Sequence, residues 1–460
     1  MVRHWRVLTI FAFIVALLAV DAGTAMGQEA LICRKRDKLL SGDSEKTVLG
    51  PKDDVVNAGD GNDILIGGKG DDILNGGRGN DTVRGGPGND VVCGGTDKDK
   101  VFGDAGKDQL YGEEDNDILT PGPGNDYALG SAGRDKVYGF GKKKGQFTED
   151  GKDTLDGGHT QDIVIAGGFD VVIGGSETDT LSTKTMSIGV ERMDGGFEKD
   201  TLTGSNADDG LLFGNTGDET IRLGPKNDKV NGGDGNDKIY GGPGNDILNG
   251  GRGNDKVFGG PGKDIVCGGL DNDKVFGDED NDKVIGEEQN DQLTGGAGND
   301  YILGSAGKDK LIGWGKAHGE ATADGNDYLD GSFDDDVLQA GGADTLIGGA
   351  EEDTLVTKTK QIGVKRMDGG FQNDVLIGSN ERDRMYGDIG DDTLRGNGGN
   401  DEIHGEESND KIFGGLGNDL LYGEDGEDFL QGDEGDDLCS GGSGASDKAN
   451  KSCEKRKSIP

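Results

Sequence analysis

A nine-residue phrase, Gly76-Gly77-Arg78-Gly79-Asn80-Asp81-Thr82-Val83-Arg84, recurs in phase along most of the chain and restricts its folding more than any other feature. The next copy, Gly85-Gly86-Pro87-Gly88-Asn89-Asp90-Val91-Val92-Cys93, begins where this one stops. Aligned copies reduce to Gly-Gly-x-Gly-x-Asp-x-U-x, where U is a large aliphatic residue. The phrase has two parts, a six-residue turn and a three-residue strand. Glycines at its first, second and fourth places allow positive φ and close backbone approach, so that carbonyl oxygens crowd beside a carboxylate. Such a cluster suits a hard cation. In the strand only the eighth residue is apolar throughout, so alternation turns it inward and its neighbours outward. Strands this short hold only by stacking on the next copy.

Composition sharpens the requirement. Among 460 residues there are 92 glycines and 31% hydrophobic residues, too little apolar volume for a thick core. Ninety acidic side chains face 48 basic ones, for a net charge of −42. Composition alone is that of a disordered, self-repelling chain and argues against a nucleic-acid partner. The strict period overrides that reading provided the acids are neutralised, for which on the order of twenty divalent ions would suffice.

The amino terminus has Arg3 and Arg6, an apolar run from Val7 to Val20, and Ala25 and Gly27 placed for cleavage before Gln28. Residues 1–27 therefore read as a secretory signal peptide, with an uncleaved anchor as the alternative. No later segment is long and apolar enough to cross a bilayer, so the mature chain is expected to be extracellular, where disulfides persist. Residues 28–36 read as a cap.

The register is clean from Asp54 and continues through Asp63, Asp72, Asp81, Asp90, Asp99, Asp108, Asp117, Asp126 and Asp135. Residues 139–150 then lack the motif, with Lys144 where an Asp would stand, yet Asp153 returns in phase. The pattern shortens by one residue at Asp170 and makes a longer excursion from Ser182 to Met193. A shift of 174 residues superimposes Pro51 on Pro225, Cys93 on Cys267, Met193 on Met367 and the 139–150 segment on 313–324. The chain thus reads as module 37–208, its duplicate 209–382, a partial third copy 383–442 and a basic tail 443–460. The duplicate carries Asp228, Asp237, Asp246, Asp255, Asp264, Asp273, Asp282, Asp291, Asp300 and Asp309; the third copy carries Asp392, Asp401, Asp410, Asp419, Asp428 and Asp437. All these sixth-position aspartates are candidate metal ligands.

The phrase resembles the hemolysin-type calcium-binding repeats of RTX proteins, whose signature is Gly-Gly-x-Gly-x-Asp-x-U-x. The resemblance implies an all-β fold, a right-handed parallel β-roll with eighteen residues per coil and calcium held between stacked turns along each edge. Ligands would be the sixth-position carboxylates and turn carbonyls. Asp63, Asp81, Asp99 and Asp117 would line one edge, and Asp72, Asp90, Asp108 and Asp126 the other. Calcium's preference for six to eight oxygens agrees with that donor set. Some copies depart from consensus. Asp97, Asp115, Asp271 and Asp280 replace the fourth-place glycine at some cost, Gln289 and Ser408 fit there less readily, and Glu219 replaces a ligand aspartate. Many family members leave the cell by an uncleaved carboxy-terminal signal, whereas this chain carries the amino-terminal one described above.

Of the five cysteines, Cys93 and Cys267 occupy equivalent outward places too many coils apart to bridge, and Cys439 and Cys453 flank the terminal cap as the expected pair. Cys33 with Cys93 is a weaker pairing. Tyr240, Phe258 and Phe276 recur every eighteen residues and should stack as a ladder. No His-Glu-x-x-His, Gly-x-Ser-x-Gly or phosphate-loop phrase is present, and His159, His318 and His404 read as loop or surface residues. The expected function is non-enzymatic: calcium binding coupled to folding, in a structural or adhesive extracellular role with cell-surface or matrix polymers as candidate partners. The rival readings are an enzyme or accessory module with its site in loops 139–150 and 313–324, and passive calcium storage.

Overall fold

The computed structural model describes residues 44–140, 142–143, 146–147, 151–183, 189–314, 316–317, 320–321, 325–357, 363–443, 448–449, 453 and 455–456. The expected signal segment, the 28–36 cap and Cys33 lie outside these residues. The described chain is a parallel β-solenoid, with no helix among the described residues. Each coil gives one strand to each of two parallel sheets, and among the described residues each sheet has 22 strands. Strand Ile73–Arg78 pairs with Val55–Asp60 before it and Val91–Thr96 after it, Leu74 lying opposite Val56 and Val92. The intervening Thr82–Pro87 pairs in the other sheet with Ile64–Ile66 and Lys100–Ala105. The eighteen-residue register expected from two nonapeptides per coil is what these pairings contain.

The eighth-position residues form the core. Leu65, Leu74, Val83, Val92, Val101, Leu110 and Leu119 are all fully buried, and the stack continues as one apolar cluster to Leu430. One aliphatic side chain per nine ordered residues is lean. Its burial must be supplemented, because every ordered residue costs backbone entropy.

The strands are longer than the three residues read from the sequence. Most run for six, as in Ile247–Arg252, taking in the first three places of the following turn. The turns themselves stack, as when Gly68 N donates to Gly85 O at 2.9 Å and Gly242 N to Gly259 O at 3.0 Å. Glycine there lets neighbouring backbones approach closely enough to continue the ladder.

The irregular segments are absorbed without breaking the solenoid. At 139–150 the coil lengthens by nine residues, so that Asp126 N donates to Asp153 Oδ1 and Asp135 N to Asp162 Oδ1. Within it, Lys142–Lys143 and Gln146–Phe147 pair antiparallel; Lys316–Ala317 and Glu320–Ala321 do the same in the duplicate. The coil shortens to seventeen residues between Asp153 and Asp170 and widens to twenty-one between Asp179 and Asp200. At the carboxy end, Lys448–Ala449 pairs with Phe429–Leu430, and Lys455–Arg456 with Leu438–Cys439. Cys439 and Cys453 are disulfide-bonded, and both are buried against the end of the core.

The other cysteines correct the sequence reading in one respect. Cys93 and Cys267 are not outward in the sense of exposed. Cys93 is fully buried beneath Tyr111 and Leu129, side chains on neighbouring strands that cover the sheet surface. Cys93 is disulfide-bonded, whereas Cys267 is a buried free thiol that burial, with a further push from the charge of Glu287, raises to about 12. The aromatic ladder is present as expected, with Tyr240–Phe258 and Phe258–Phe276 stacked at 5.1 and 4.8 Å.

Candidate metal centre

The sixth-position aspartates form two continuous ladders, one along each edge. On the first, Asp63 N donates to Asp81 Oδ1, Asp81 N to Asp99 Oδ1 and Asp99 N to Asp117 Oδ1, each at 2.7 Å. On the second, Asp72 N donates to Asp90 Oδ1 and Asp90 N to Asp108 Oδ1, each at 2.8 Å. The carbonyl of each aspartate accepts from the strand above, as Asp63 O does from Thr82 N at 2.8 Å. One carboxylate oxygen and both backbone groups are thereby committed to stacking the coils.

The second oxygen is left over. Oδ2 of Asp63, Asp72, Asp81, Asp90, Asp99, Asp108, Asp117 and Asp135 is buried without a hydrogen-bond partner. The same holds for Asp228, Asp237, Asp246, Asp255, Asp264, Asp273, Asp282, Asp291 and Asp309, and for Asp392, Asp401, Asp410, Asp419 and Asp437. Asp126, Asp300 and Asp428 occupy the same ladder places and are equally buried. A buried, uncompensated carboxylate oxygen is costly, and its regular recurrence points to a common partner.

The glycines define what surrounds that oxygen. A Cβ built on first-place Gly76 would stand 2.5 Å from Asp81 Oδ2 and 2.6 Å from Gly94 O, one coil further on. The two oxygens therefore lie within about 5 Å of each other, a span that one calcium ion bridges. At second-place Gly77, where φ is +107°, a Cβ would fall 2.1 Å from Gly59 O of the preceding coil. Side chains are thus excluded by a carboxylate on one side and carbonyls on the other. The donors that converge are oxygens alone, the set that hard cations select.

Electrostatics carry the same message. Burial, less the help of one backbone N–H and with added repulsion from neighbouring carboxylates, raises Asp81 from 3.8 to about 6, Asp99 to about 8 and Asp117 to about 9. In the duplicate Asp255, Asp282 and Asp291 rise to about 8 for the same reasons. Protons or cations must occupy these edges for the coils to close.

Four ladder aspartates provide a contrast. Asp170 Oδ2 accepts from Gly167 N and Gly168 N at 2.9 and 3.1 Å, and Asp344 Oδ2 accepts from Gly341 N and Gly342 N at the same distances. Asp209 Oδ2 accepts from Ser205 N, and Asp383 Oδ2 from Ser379 N, at 2.8 and 2.6 Å. All four sit where the repeat length changes. There the chain supplies its own donors to Oδ2.

Of the aspartates expected to be ligands, only Asp54 differs. It is partly rather than fully buried, at the open amino-terminal side of its ladder, although its N–H donates to Asp72 Oδ1 at 2.8 Å. The ladders also contain aspartates that the sequence reading passed over as ligands: Asp162, Asp179, Asp200, Asp336, Asp353 and Asp374 all bury an unpartnered Oδ2. Asp153 and Asp327 stand in line with them. Their signal was the 174-residue shift, which relates Asp153, Asp162, Asp179 and Asp200 to Asp327, Asp336, Asp353 and Asp374. Glu219 keeps its rung, its N–H donating to Asp237 Oδ1 at 2.8 Å, with its carboxylate buried against Asp200 and Asp237. The turns at Gln289 and Ser408 form after all. Both residues adopt left-handed φ, at 73° and 92°, like Asp97, Asp115, Asp271 and Asp280.

No curated protein sequence matches the chain. The RTX calcium-binding nonapeptide repeat matches at residues 50–83, 84–119, 94–128, 120–141, 213–248, 240–275, 276–311, 322–355, 366–394, 386–421 and 413–446. These matches cover well over half of the chain and coincide with the regular coils, whose turns stack oxygen against oxygen. The chain belongs to the RTX calcium-binding nonapeptide repeat family and is a calcium-binding β-solenoid.

Proposed function

We propose that this is a secreted protein whose two edges each take up a column of calcium ions, and whose folding into an elongated β-roll depends on them. The observation that carries the reading is the recurring buried Oδ2 without a partner, set beside first-place glycine carbonyls. The ligands would be Asp63, Asp81, Asp99, Asp117 and Asp135 on one edge and Asp72, Asp90, Asp108 and Asp126 on the other. They continue through Asp228 to Asp309 and Asp392 to Asp437, with Asp54 the weakest. Calcium supplies positive charge and tolerance of an irregular oxygen shell. The protein's own groups hold Oδ1 in the ladder, keep side chains out of the cradle and present the carbonyls.

The biological role that fits is structural or adhesive. A calcium-hardened solenoid, built as a module and its duplicate with a partial third copy, presents repeated surface features at fixed spacing to extracellular polymers. The amino-terminal export signal supports the extracellular setting. Circular dichroism of the signal-free chain during a calcium titration, with Mg²⁺ as control, tests the coupling. A coil-to-strand transition with calcium alone is expected; full strand content in calcium-free buffer at pH 8 would overturn it.

A further inference from the structure

Outside the edge columns, one group of side chains on a sheet face has ligand chemistry that the repeat does not explain. His404 lies on strand Glu402–Glu407, flanked by Tyr386 and Tyr422 on the neighbouring strands. Its ring stacks between theirs, with centroids 5.0 and 4.6 Å away, so the imidazole plane is fixed by packing on both faces. Its Nδ1 lies 2.9 Å from Glu424 Oε1, and Glu406 stands opposite Glu424 in the strand register. One ligand atom from each of His404, Glu406 and Glu424 falls within 4.8 Å of the others.

Glu406 and Glu424 occupy second places in their turns, where the repeat asks for glycine, and both hold left-handed φ, at 78° and 72°. Their carboxylates repel each other. Two coils back in the same sheet, the buried Asp368 lies close enough to add to that repulsion. The other imidazole nitrogen, Nε2, is 3.9 Å from Glu402 Oε1, and Glu402 is held by Arg382 and Arg384 at 3.1 Å each. Glu402 thus places a carboxylate behind the far nitrogen while the near one meets Glu424, which approaches the outer-shell arrangement of histidine metal ligands.

We propose that His404, Glu406 and Glu424 form a surface site for a borderline transition-metal dication of the zinc class, distinct from the calcium columns. Imidazole nitrogen selects such an ion over calcium, which takes oxygen alone. At metal–ligand distances near 2.1 Å, tetrahedral ligand atoms sit about 3.4 Å apart, so the present 2.9 Å His404–Glu424 contact opens only slightly to admit the ion. Three protein ligands leave one position for water or for a group on a second molecule. Glu402 is a positioning residue that orients the ring and does not touch the ion.

The full signal-free chain is first saturated with calcium, so that the edge columns are filled, and then titrated with Zn²⁺ against a chromophoric chelator, and in parallel with Co²⁺ while its visible absorption is followed. One equivalent of tight Zn²⁺ is expected, with a Co²⁺ spectrum of low coordination number. His404→Ala should abolish that equivalent, and Glu402→Gln should weaken it on the order of ten-fold or more while leaving the stoichiometry unchanged. Glu424→Gln, which keeps the shape of the face, should weaken it as well. The calcium-loaded circular dichroism of each variant reports whether the coil is intact. No tight equivalent in the parent chain, or one that survives His404→Ala in a folded protein, would overturn the assignment and leave His404–Glu424 as an ion pair only. Because calcium uptake is read separately, failure of the zinc site leaves the calcium reading untouched.

Discussion

Protons should be able to replace calcium, and the structure sets where. A carboxyl whose folded value lies above its unfolded one binds protons more tightly in the folded state. Its contribution is then intact below the unfolded value, about pH 4, and is lost as pH rises through the folded value. Asp90, Asp108 and Asp264 rise from 3.8 to about 7, and Asp117 and Asp336 to about 9, chiefly through burial. At about 1.4 kcal/mol per unit, a carboxyl raised to about 7 costs the metal-free fold on the order of 4 kcal/mol at pH 7. Repeated along two ladders, that exceeds the about 5–15 kcal/mol by which domains are stable. The chain should therefore be unfolded in calcium-free buffer at pH 8 and gain strand content as pH falls from about 9 to about 4. Calcium is removed beforehand by dialysis, because chelators weaken in acid, and strand content is followed by far-ultraviolet circular dichroism. Net charge also falls toward the pI near 4.3, so surface repulsion needs its own control. At pH 8 in 1 M NaCl the screening length is about 3 Å, which removes surface repulsion but leaves buried carboxylates exposed to one another. The metal-free chain should stay unfolded there. Strand content that is independent of pH, or that salt alone restores, would refute the role given to the buried aspartates.

Three further perturbations separate cation binding from simple packing. Gly277→Ala places a methyl 2.5 Å from both Asp282 Oδ2 and Gly295 O at a backbone angle any residue can adopt, so it should raise the calcium midpoint and cost about 1–3 kcal/mol in a urea melt of the loaded protein. Asp291→Asn keeps an acceptor for Asp273 N but replaces the unpartnered oxygen, and metal analysis should show calcium lost from that edge. Asp344→Asn should instead cost about 1–3 kcal/mol of stability with the calcium count unchanged, since Gly341 N and Gly342 N already occupy its Oδ2.

Much of this was legible because the repeat states its physics locally. Period nine with one aliphatic residue gave the stacked repeats and the inward stack from Leu65 to Leu430, and the resemblance to calcium-binding repeats gave the parallel coils and the edge on which each aspartate sits. The six-residue strands were not legible, because their second halves are built of glycines, whose strand character comes from turn-to-turn stacking. Nor were Asp170, Asp209, Asp344 and Asp383 distinguishable from cation ligands: the donors that satisfy them, Gly167, Ser205, Gly341 and Ser379, lie three or four residues away in the same turn, and only the turn's folded shape aims their N–H groups at Oδ2. The burial of Cys93 depended on Tyr111 and Leu129, one and two coils further along. His404 could not be placed either, since Glu402 and Glu406 on its own strand gain their partner Glu424 only by register across strands.

The number of calcium ions retained by the purified, signal-free chain after exhaustive exchange into dilute calcium tests the two-column arrangement most directly. Elemental analysis against protein concentration should return on the order of twenty ions per chain, with Mg²⁺ unable to replace them. A count of one or two in a fully folded sample would contradict it, for the buried oxygens along both edges would then need some other partner.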